Sequence, residues 1–191
     1  LGLVGSEMCI RDRAEEFRGG TAYWSPETGA QVLFGAILAK YNALGGPAGW
    51  LGFPKTGELK TPDGKGRFVH FQHGSVYWTP QTGAQAIPGD MFAAWGESGY
   101  EMGTLGYPVE EAQPAEGGYV QKFEKGYLTR NPEKDGKTEH FFVYGAIGAK
   151  YGEMGGARSD LGFPTGNEKK IKGGFFPVSY THLTLPTKRI V

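Results

Sequence analysis

The chain has 191 residues, with 20 basic and 20 acidic side chains and a formal net charge of zero at pH 7. This balance gives no electrostatic reason to expect a nucleic acid or an anionic membrane as a partner, and no apolar run is long enough for a transmembrane helix. Glycine is the compositional outlier, with 33 residues, but its regular placement among 14% aromatic residues indicates a folded chain with many turns rather than disorder.

Both ends of the chain resemble translated adapter DNA from sequencing libraries. The codons ATG TGT ATA AGA GAC encode Met8 to Asp12, and their reverse complement encodes Val178 to His182. We therefore expect residues 1–13 and 178–191 to be non-native and exclude them from the prediction of the fold. The one cysteine, Cys9, lies in the first of these segments, so the rest of the sequence predicts no disulfide and no thiolate metal site.

The first repeated element is a predicted β-hairpin. Residues 17–30 match residues 71–84, and each copy contains a Tyr-Trp pair followed by a Pro-x-Thr-Gly turn. Short aromatic segments that are punctuated by glycine and by such a turn are typical of hairpins. A third copy at residues 123–132 keeps the frame, but Thr129 and Arg130 stand where the aromatic pair is expected.

A short helix is predicted after each hairpin. In the first copy the apolar residues Ile37, Tyr41 and Leu44 follow the i, i+4, i+7 spacing of a helix, and a glycine pair after them suits its C-terminal cap. Matching segments predict two more helices, with Trp95 in the place of Tyr41 and therefore in the core. In all three copies the glycine that opens the helix lies 16 residues before the leucine of the next element.

The third element is a tetrapeptide of leucine, glycine, an aromatic residue and proline. Glycine permits a positive φ, and proline fixes φ without offering a donor, so each copy predicts a buried corner of the chain. The three copies are spaced by 54 and 56 residues and stand at Leu51-Gly52-Phe53-Pro54, Leu105-Gly106-Tyr107-Pro108 and Leu161-Gly162-Phe163-Pro164.

These elements predict a β-rich α+β tandem repeat, with a small antiparallel sheet and one short helix in each unit, stacked into an elongated array. A unit of this size is near the lower limit for independent folding, so neighbouring units are expected to stabilise one another. Between the adapter-like ends, the predicted organisation is a partial first unit at 14–54, a second unit at 55–108, a third unit at 109–164 and the start of a truncated fourth unit at 165–177.

The three corners, the run from Gly74 to Ala84 and the run from Ala36 to Tyr41 resemble the LGFP-repeat family, and the resemblance covers residues 14–177. In that family the repeats occur in cell-envelope proteins of mycolic-acid-containing actinobacteria, appended to mycolyltransferases or wall hydrolases. The resemblance implies an exported, non-catalytic, β-rich stalk that engages the peptidoglycan and arabinogalactan polymer of the cell wall. We expect the export signal to lie outside this piece.

Five aromatic residues are candidates for binding a sugar, because an aromatic ring covers the apolar face of a sugar while neighbouring groups bond its hydroxyls. Four form the pairs Tyr23-Trp24 and Tyr77-Trp78, for which packing in the hairpin core is the competing interpretation. Strand alternation predicts that the tyrosines face away from the apolar position that Val76 occupies. The fifth is Trp50, whose counterparts Thr104 and Asp160 indicate an exposed position, where the ring either binds a sugar or only covers the corner.

The sequence offers no comparable pattern for catalysis or for a metal. His70 and His73 align with Lys122 and Lys125, which indicates solvated positions rather than ligands. The serines lack a recurring histidine and acid partner. We predict no catalytic residue, no metal, no cofactor and no enzyme activity.

The predicted function is a non-catalytic module that binds or anchors to cell-wall polysaccharide, as a fragment of a larger exported protein. Several weak sites on one chain raise avidity without a single deep pocket. The alternative is a structural stalk or protein-interaction spacer that positions a catalytic domain, such as a mycolyltransferase or wall hydrolase, fused to it in the intact protein.

Overall fold

A computed structural model describes residues 13–171 and 174–179 of the chain. The adapter-like segments lie outside the described residues except at Arg13, Val178 and Ser179, which belong to the terminal strands. Within the described residues the predicted fold class is confirmed, since three repeats follow one another and each has a small antiparallel sheet and a short helix.

Each repeat builds its own sheet from neighbouring antiparallel strands. The first sheet has the order β1-β2-β3, with β1 at Arg13–Phe17, β2 at Gly20–Ser25 and β3 at Gly29–Phe34. The second has the order β4-β5-β6-β7, with β4 at Leu59–Lys60, β5 at Arg67–His70, β6 at Gly74–Thr79 and β7 at Gly83–Pro88. The third has the order β8-β9-β10-β11, with β8 at Gln113–Ala115, β9 at Gly118–Phe123, β10 at Gly126–Arg130 and β11 at His140–Tyr144. A two-stranded ribbon of β12 at Pro164–Ile171 and β13 at Gly174–Ser179 follows.

One nine-residue helix follows each sheet, as predicted. The helices are α1 at Gly35–Ala43, α2 at Gly89–Glu97 and α3 at Gly145–Glu153. Two residues after each helix a glycine lies in the left-handed region, with φ of 96° at Gly45, 93° at Gly99 and 97° at Gly155. A left-handed glycine at this position closes the last turn without the steric cost of a Cβ. One turn of 3-10 helix then leads to the corner.

The chain divides into two compact units, Leu1–Phe92 and Ala93–Val191. In the first unit α1 lies between the first sheet and the second, where it contacts β2 and β3 on one side and β6 and β7 on the other. Tyr41 of α1 is fully buried at the centre of this arrangement. Its ring meets Tyr23 of the first sheet edge-on at 5.1 Å and stacks on Phe71 of the second repeat at 4.8 Å. The helix thus supplies one apolar core to two sheets.

The central strand β6 is buried on both faces. Val76 and Tyr77 are neighbours in the strand, yet their exposed fractions are 0% and 5%. Val76 belongs to the cluster around α1, whereas Tyr77 stacks on Phe68 at 5.0 Å and contacts Phe92 of α2. The two side chains therefore face opposite sides of the sheet, as alternation predicts.

The repeated tetrapeptide forms the predicted corner. The glycine has a φ of 68° at Gly52, 72° at Gly106 and 62° at Gly162. In the first copy the carbonyl oxygen of Gly52 accepts a hydrogen bond of 2.9 Å from the hydroxyl of Tyr41, so the helix fixes the corner. In the third copy the Tyr151 hydroxyl donates to Gly162 in the same way.

The third repeat shows how a repeat without the Tyr-Trp pair keeps an aromatic core. Thr129 replaces the tyrosine, is fully buried and bonds the side chain of Asn131. The missing ring is supplied from two residues earlier on the same strand, where Tyr127 contacts Tyr151 of α3 at 5.6 Å. A Cβ atom at Gly152 would lie 2.1 Å from the Tyr127 hydroxyl, so glycine in the helix makes room for the displaced ring.

Candidate binding cleft

The second and third repeats have a cleft at the same place, between the turn of the central hairpin and the start of the following helix. We call it the hairpin cleft. Its volume is about 360 Å³ in the second repeat and about 580 Å³ in the third. The lining includes residues 70–75 with Gly89 and Phe92 in the second repeat, and residues 122–127 with Gly145 and Gly148 in the third.

One backbone hydrogen bond joins the two walls of each cleft. The amide of Gly89, the first residue of α2, donates to the carbonyl oxygen of His73 at 2.9 Å. In the third repeat Gly145 donates to Lys125 at 3.3 Å. Because the helix start is tied to the hairpin turn, the backbone fixes the width of the cleft before any side chain contributes.

The floor of the cleft in the second repeat is aromatic. His70 packs between Phe68 at 4.9 Å and Phe92 at 5.2 Å, and its Nδ1 is 2.8 Å from the hydroxyl of Ser75. Burial lowers the pKa of His70, and the nearby charge of Lys55 lowers it further, because both disfavour the protonated imidazole. His70 was predicted to be solvated, but it is half-buried, because strand β5 places its ring against Phe92 of α2.

Basic side chains lie at the rim of both clefts. Lys55 and His73 are exposed in the second repeat, and Lys122 and Lys125 are exposed in the third. Lys122 also forms an ion pair of 3.5 Å with Glu110, in which both side chains remain about half exposed. Exposed lysine and histidine side chains donate hydrogen bonds readily, and a ligand can easily reorient them. Among the described residues, no group of three histidines, cysteines or carboxylates is placed to hold a metal.

Trp50 does not line the cleft of the second repeat, but it contacts one of the residues that do. It is 43% exposed, as its variable counterparts predict. A Cβ atom at Gly74 would lie 2.9 Å from Cζ3 of Trp50, so the indole rests on the backbone of a residue that lines the cleft. In the third repeat the equivalent residue, Thr104, lines the cleft itself.

The tyrosines of the two predicted pairs are part of the core. Tyr23 and Tyr77 have exposed fractions of 4% and 5%, and the hydroxyl of Tyr23 donates to Oδ1 of Asn42. Burial raises the pKa of Tyr23. Trp24 and Trp78 are half-buried, and Trp78 packs against the cluster around α1. The five candidates therefore do not form one site, and Trp50 is the one with a largely exposed ring.

Sequence reasoning missed the cleft because its walls are far apart in the chain. The signal that could have found it is the recurrence of nitrogen-bearing side chains on matched hairpins, histidine at positions 70 and 73 and lysine at 122 and 125. Those positions were interpreted as separate solvated sites. Their shared location at a helix start depends on the hydrogen bond between the turn and the helix, which no local pattern reveals.

Comparison with known families gives three matches to the family described as LGFP repeat, at residues 4–49, 51–103 and 105–159. The chain belongs to the LGFP-repeat family. The matches meet at the corners, so the three LGFP repeats correspond to the three sheet-and-helix units. No curated protein sequence matches the chain significantly. None of the helices in the described part of the chain has the length and hydrophobicity that a membrane span requires.

Proposed function

We propose that these LGFP repeats form a non-catalytic module that binds cell-wall polysaccharide at the hairpin clefts, within a larger exported protein. The observation that carries the proposal is the exposed indole of Trp50 beside a cleft with a basic rim. An aromatic face with hydrogen-bond donors next to it suits a sugar ring, whose apolar face stacks while its hydroxyls are bonded.

The side chains that line the cleft of the second repeat give the proposed site a definite chemistry. Lys55 and His73 are exposed at the rim of the cleft and can donate to sugar hydroxyls or to an acidic substituent. The side chain of Gln72 is already engaged, since its Oε1 accepts from the Phe53 amide at 2.7 Å and its Nε2 donates to Glu27. The binding groups are therefore Trp50, Lys55 and His73, whereas Gln72 holds the turn in place.

The third repeat carries a weaker version of the same site. Thr104 replaces the tryptophan, while Lys122 and Lys125 keep the basic rim. We expect its cleft to bind the same polymer with lower affinity. Two unequal sites on one chain raise the avidity for a repeating polymer by about 10²–10⁴-fold when both can be engaged.

Trp50→Ala is expected to weaken binding to delipidated cell-wall material about tenfold, which corresponds to ~1.4 kcal/mol. The measurement is the fraction of protein that sediments with the wall material over a range of protein concentrations. Trp50→Tyr keeps an aromatic face and is expected to retain most of the binding.

Thr104→Ala at the equivalent position is the matched control and is expected to change binding by less than about twofold. A chain that remains in the supernatant at all concentrations would instead support a structural spacer. Binding that Trp50→Ala leaves unchanged would remove the cleft from the proposal.

A further inference from the structure

The hairpin clefts of the second and third repeats share a framework but differ in size. Each is framed by a buried phenylalanine, the glycine that follows the hairpin turn and the glycine that opens the helix, which are Phe71, Gly74 and Gly89 in one and Phe123, Gly126 and Gly145 in the other. The volume nevertheless rises from about 360 Å³ in the second repeat to about 580 Å³ in the third. The third cleft therefore has room for a part of a ligand that the second cleft excludes.

One position of the helix contributes to this difference. Phe92, the fourth residue of α2, lines the second cleft, where its ring lies 5.2 Å from that of His70. The fourth residue of α3 is Gly148, which lines the third cleft without a side chain. Tyr127 stands in the place of Ser75 and adds a ring to the lining, yet the third cleft is still the larger. Its lining thus combines extra space with an aromatic surface.

The first residue of the hairpin turn differs in its hydrogen bonding. Gln72 uses both ends of its amide, because Oε1 accepts from the Phe53 amide at 2.7 Å and Nε2 donates to Glu27 at 2.7 Å. Glu124, at the equivalent position, accepts from the Tyr107 amide through Oε2 at 3.0 Å. Its Oε1 has no hydrogen-bond or ion-pair partner among the described residues. The third cleft therefore offers a carboxylate oxygen as an acceptor, whereas the second offers none at this position.

These groups match the chemistry of an N-acetyl group on a sugar. Such a group presents an N–H that needs an acceptor, a carbonyl oxygen that needs a donor and a methyl group that needs apolar cover. Glu124 supplies the acceptor, and the exposed ammonium of Lys125, which forms no ion pair with any described residue, supplies the donor. The ring of Tyr127 and the methyl group of Ala149 supply apolar surface in the same cleft.

We infer that the cleft of the third repeat selects sugars that carry an N-acetyl group over the same sugars with a hydroxyl in its place, and that Glu124 sets this selectivity. The inference rests on the proposed polysaccharide function and narrows its ligand to an N-acetylated glycan, such as the glycan strands of peptidoglycan. Selectivity is a ratio of two affinities at one cleft. It is therefore compatible with the lower affinity that we expect of the third cleft for the polymer.

NMR titrations of the whole chain with triacetylchitotriose and with cellotriose test the inference, because the two trisaccharides differ only in having acetamido groups or hydroxyls. Dissociation constants from the amides of Gly126 and Gly145 report on the third cleft, and those from Gly74 and Gly89 report on the second. At the third cleft triacetylchitotriose is expected to bind at least about tenfold more tightly than cellotriose, since a hydrogen bond to a charged group is lost with cellotriose. At the second cleft the two affinities are expected to agree within about twofold.

Glu124→Gln tests the role of the carboxylate and keeps the turn. Its amide oxygen can accept from the Tyr107 amide, as that of Gln72 does from Phe53, and the remaining Nε2 is a donor rather than an acceptor. The preference for triacetylchitotriose at the third cleft is expected to fall to within about twofold. Glu133→Gln, at an exposed carboxylate that lines neither cleft, is the matched control and should keep the full preference.

Equal binding of the two trisaccharides at the third cleft, or a preference that Glu124→Gln leaves unchanged, would overturn the inference. Sedimentation of the same chain with delipidated wall material separates this outcome from failure of the proposed function. A chain that sediments but shows no preference keeps the polysaccharide proposal and loses only the selectivity. A chain that neither sediments nor shifts with either trisaccharide loses both.

Discussion

Replacing Tyr41 by alanine is expected to lower the free energy of unfolding of the Leu1–Phe92 unit by about 4 kcal/mol, as for other large aromatic side chains in a core. Tyr41 is fully buried, contacts rings of two sheets and donates its hydroxyl to the corner carbonyl of Gly52. The loss is measured by chemical denaturation and by amide hydrogen exchange of the strands on both sides of α1.

The equivalent substitution Tyr151→Ala is the matched control for Tyr41→Ala. Tyr151 has the same hydroxyl contact to its corner, but one side of it lines an open groove of about 320 Å³ beside α3. Its loss is expected to cost roughly half as much, because fewer contacts disappear. Faster exchange in β2 and β3 without any change in β6 and β7 after Tyr41→Ala would contradict the shared core.

Gly52→Ala is expected to destabilise the corner by about 2–3 kcal/mol. Part of this cost is the left-handed backbone, since φ at Gly52 is 68°. The remainder comes from the Gln72 side chain, because the new Cβ would lie 2.5 Å from its Oε1. That oxygen accepts a hydrogen bond of 2.7 Å from the Phe53 amide, so it cannot move away without leaving the amide unpaired.

Gly162→Ala separates the two contributions to the cost at Gly52. Its φ is 62°, but a Cβ atom there would have no neighbour within 4 Å. The expected cost is therefore the backbone term alone, about 1–2 kcal/mol. The difference between the two variants in thermal and chemical denaturation measures the hydrogen bond at Gln72. Equal losses would mean that Gln72 contributes nothing to the corner.

The helices, hairpins and corners of each repeat could be predicted from short sequence patterns. The glycine after each helix and the glycine of each corner have the left-handed conformation that the sequence pattern predicts, and the elements follow one another in the predicted order. The burial of Trp95 and the exposure of Trp50 followed from comparing equivalent positions, because a position that accepts tryptophan, threonine and aspartate is rarely in a core.

The packing between repeats was not predictable in the same way. Tyr41 stacks on Phe71, which is 30 residues away and belongs to the next sheet. Periodicity shows that a helix has an apolar side but not that two sheets share it. For the same reason the sequence could not decide whether the tyrosines of the Tyr-Trp pairs lie at the surface or in the core. The answer depends on whether the face of the strand that carries them is covered, and distant parts of the chain provide that cover.

The third repeat illustrates a compensation that alignment alone conceals. Thr129 and Arg130 interrupt the aromatic pair, yet Tyr127 supplies a ring from the neighbouring inward position and Gly152 makes room for it. Arg130 in turn lies over the ring of Tyr119 at 5.6 Å. The aromatic content of the core is thus kept while its position along the strand changes, which favours packing over ligand binding as the role of these tyrosines.

The most direct test of polysaccharide binding at the hairpin clefts is an NMR titration of the whole chain with soluble fragments of delipidated wall polymer. Binding at the clefts predicts that the largest shifts occur at the indole N–H of Trp50 and the amides of His73 and Gly74, with smaller shifts at Thr104 and Lys125. A spectrum that does not change at saturating polymer, or shifts confined to residues that line neither cleft, such as Phe17 and Ile147, would contradict it.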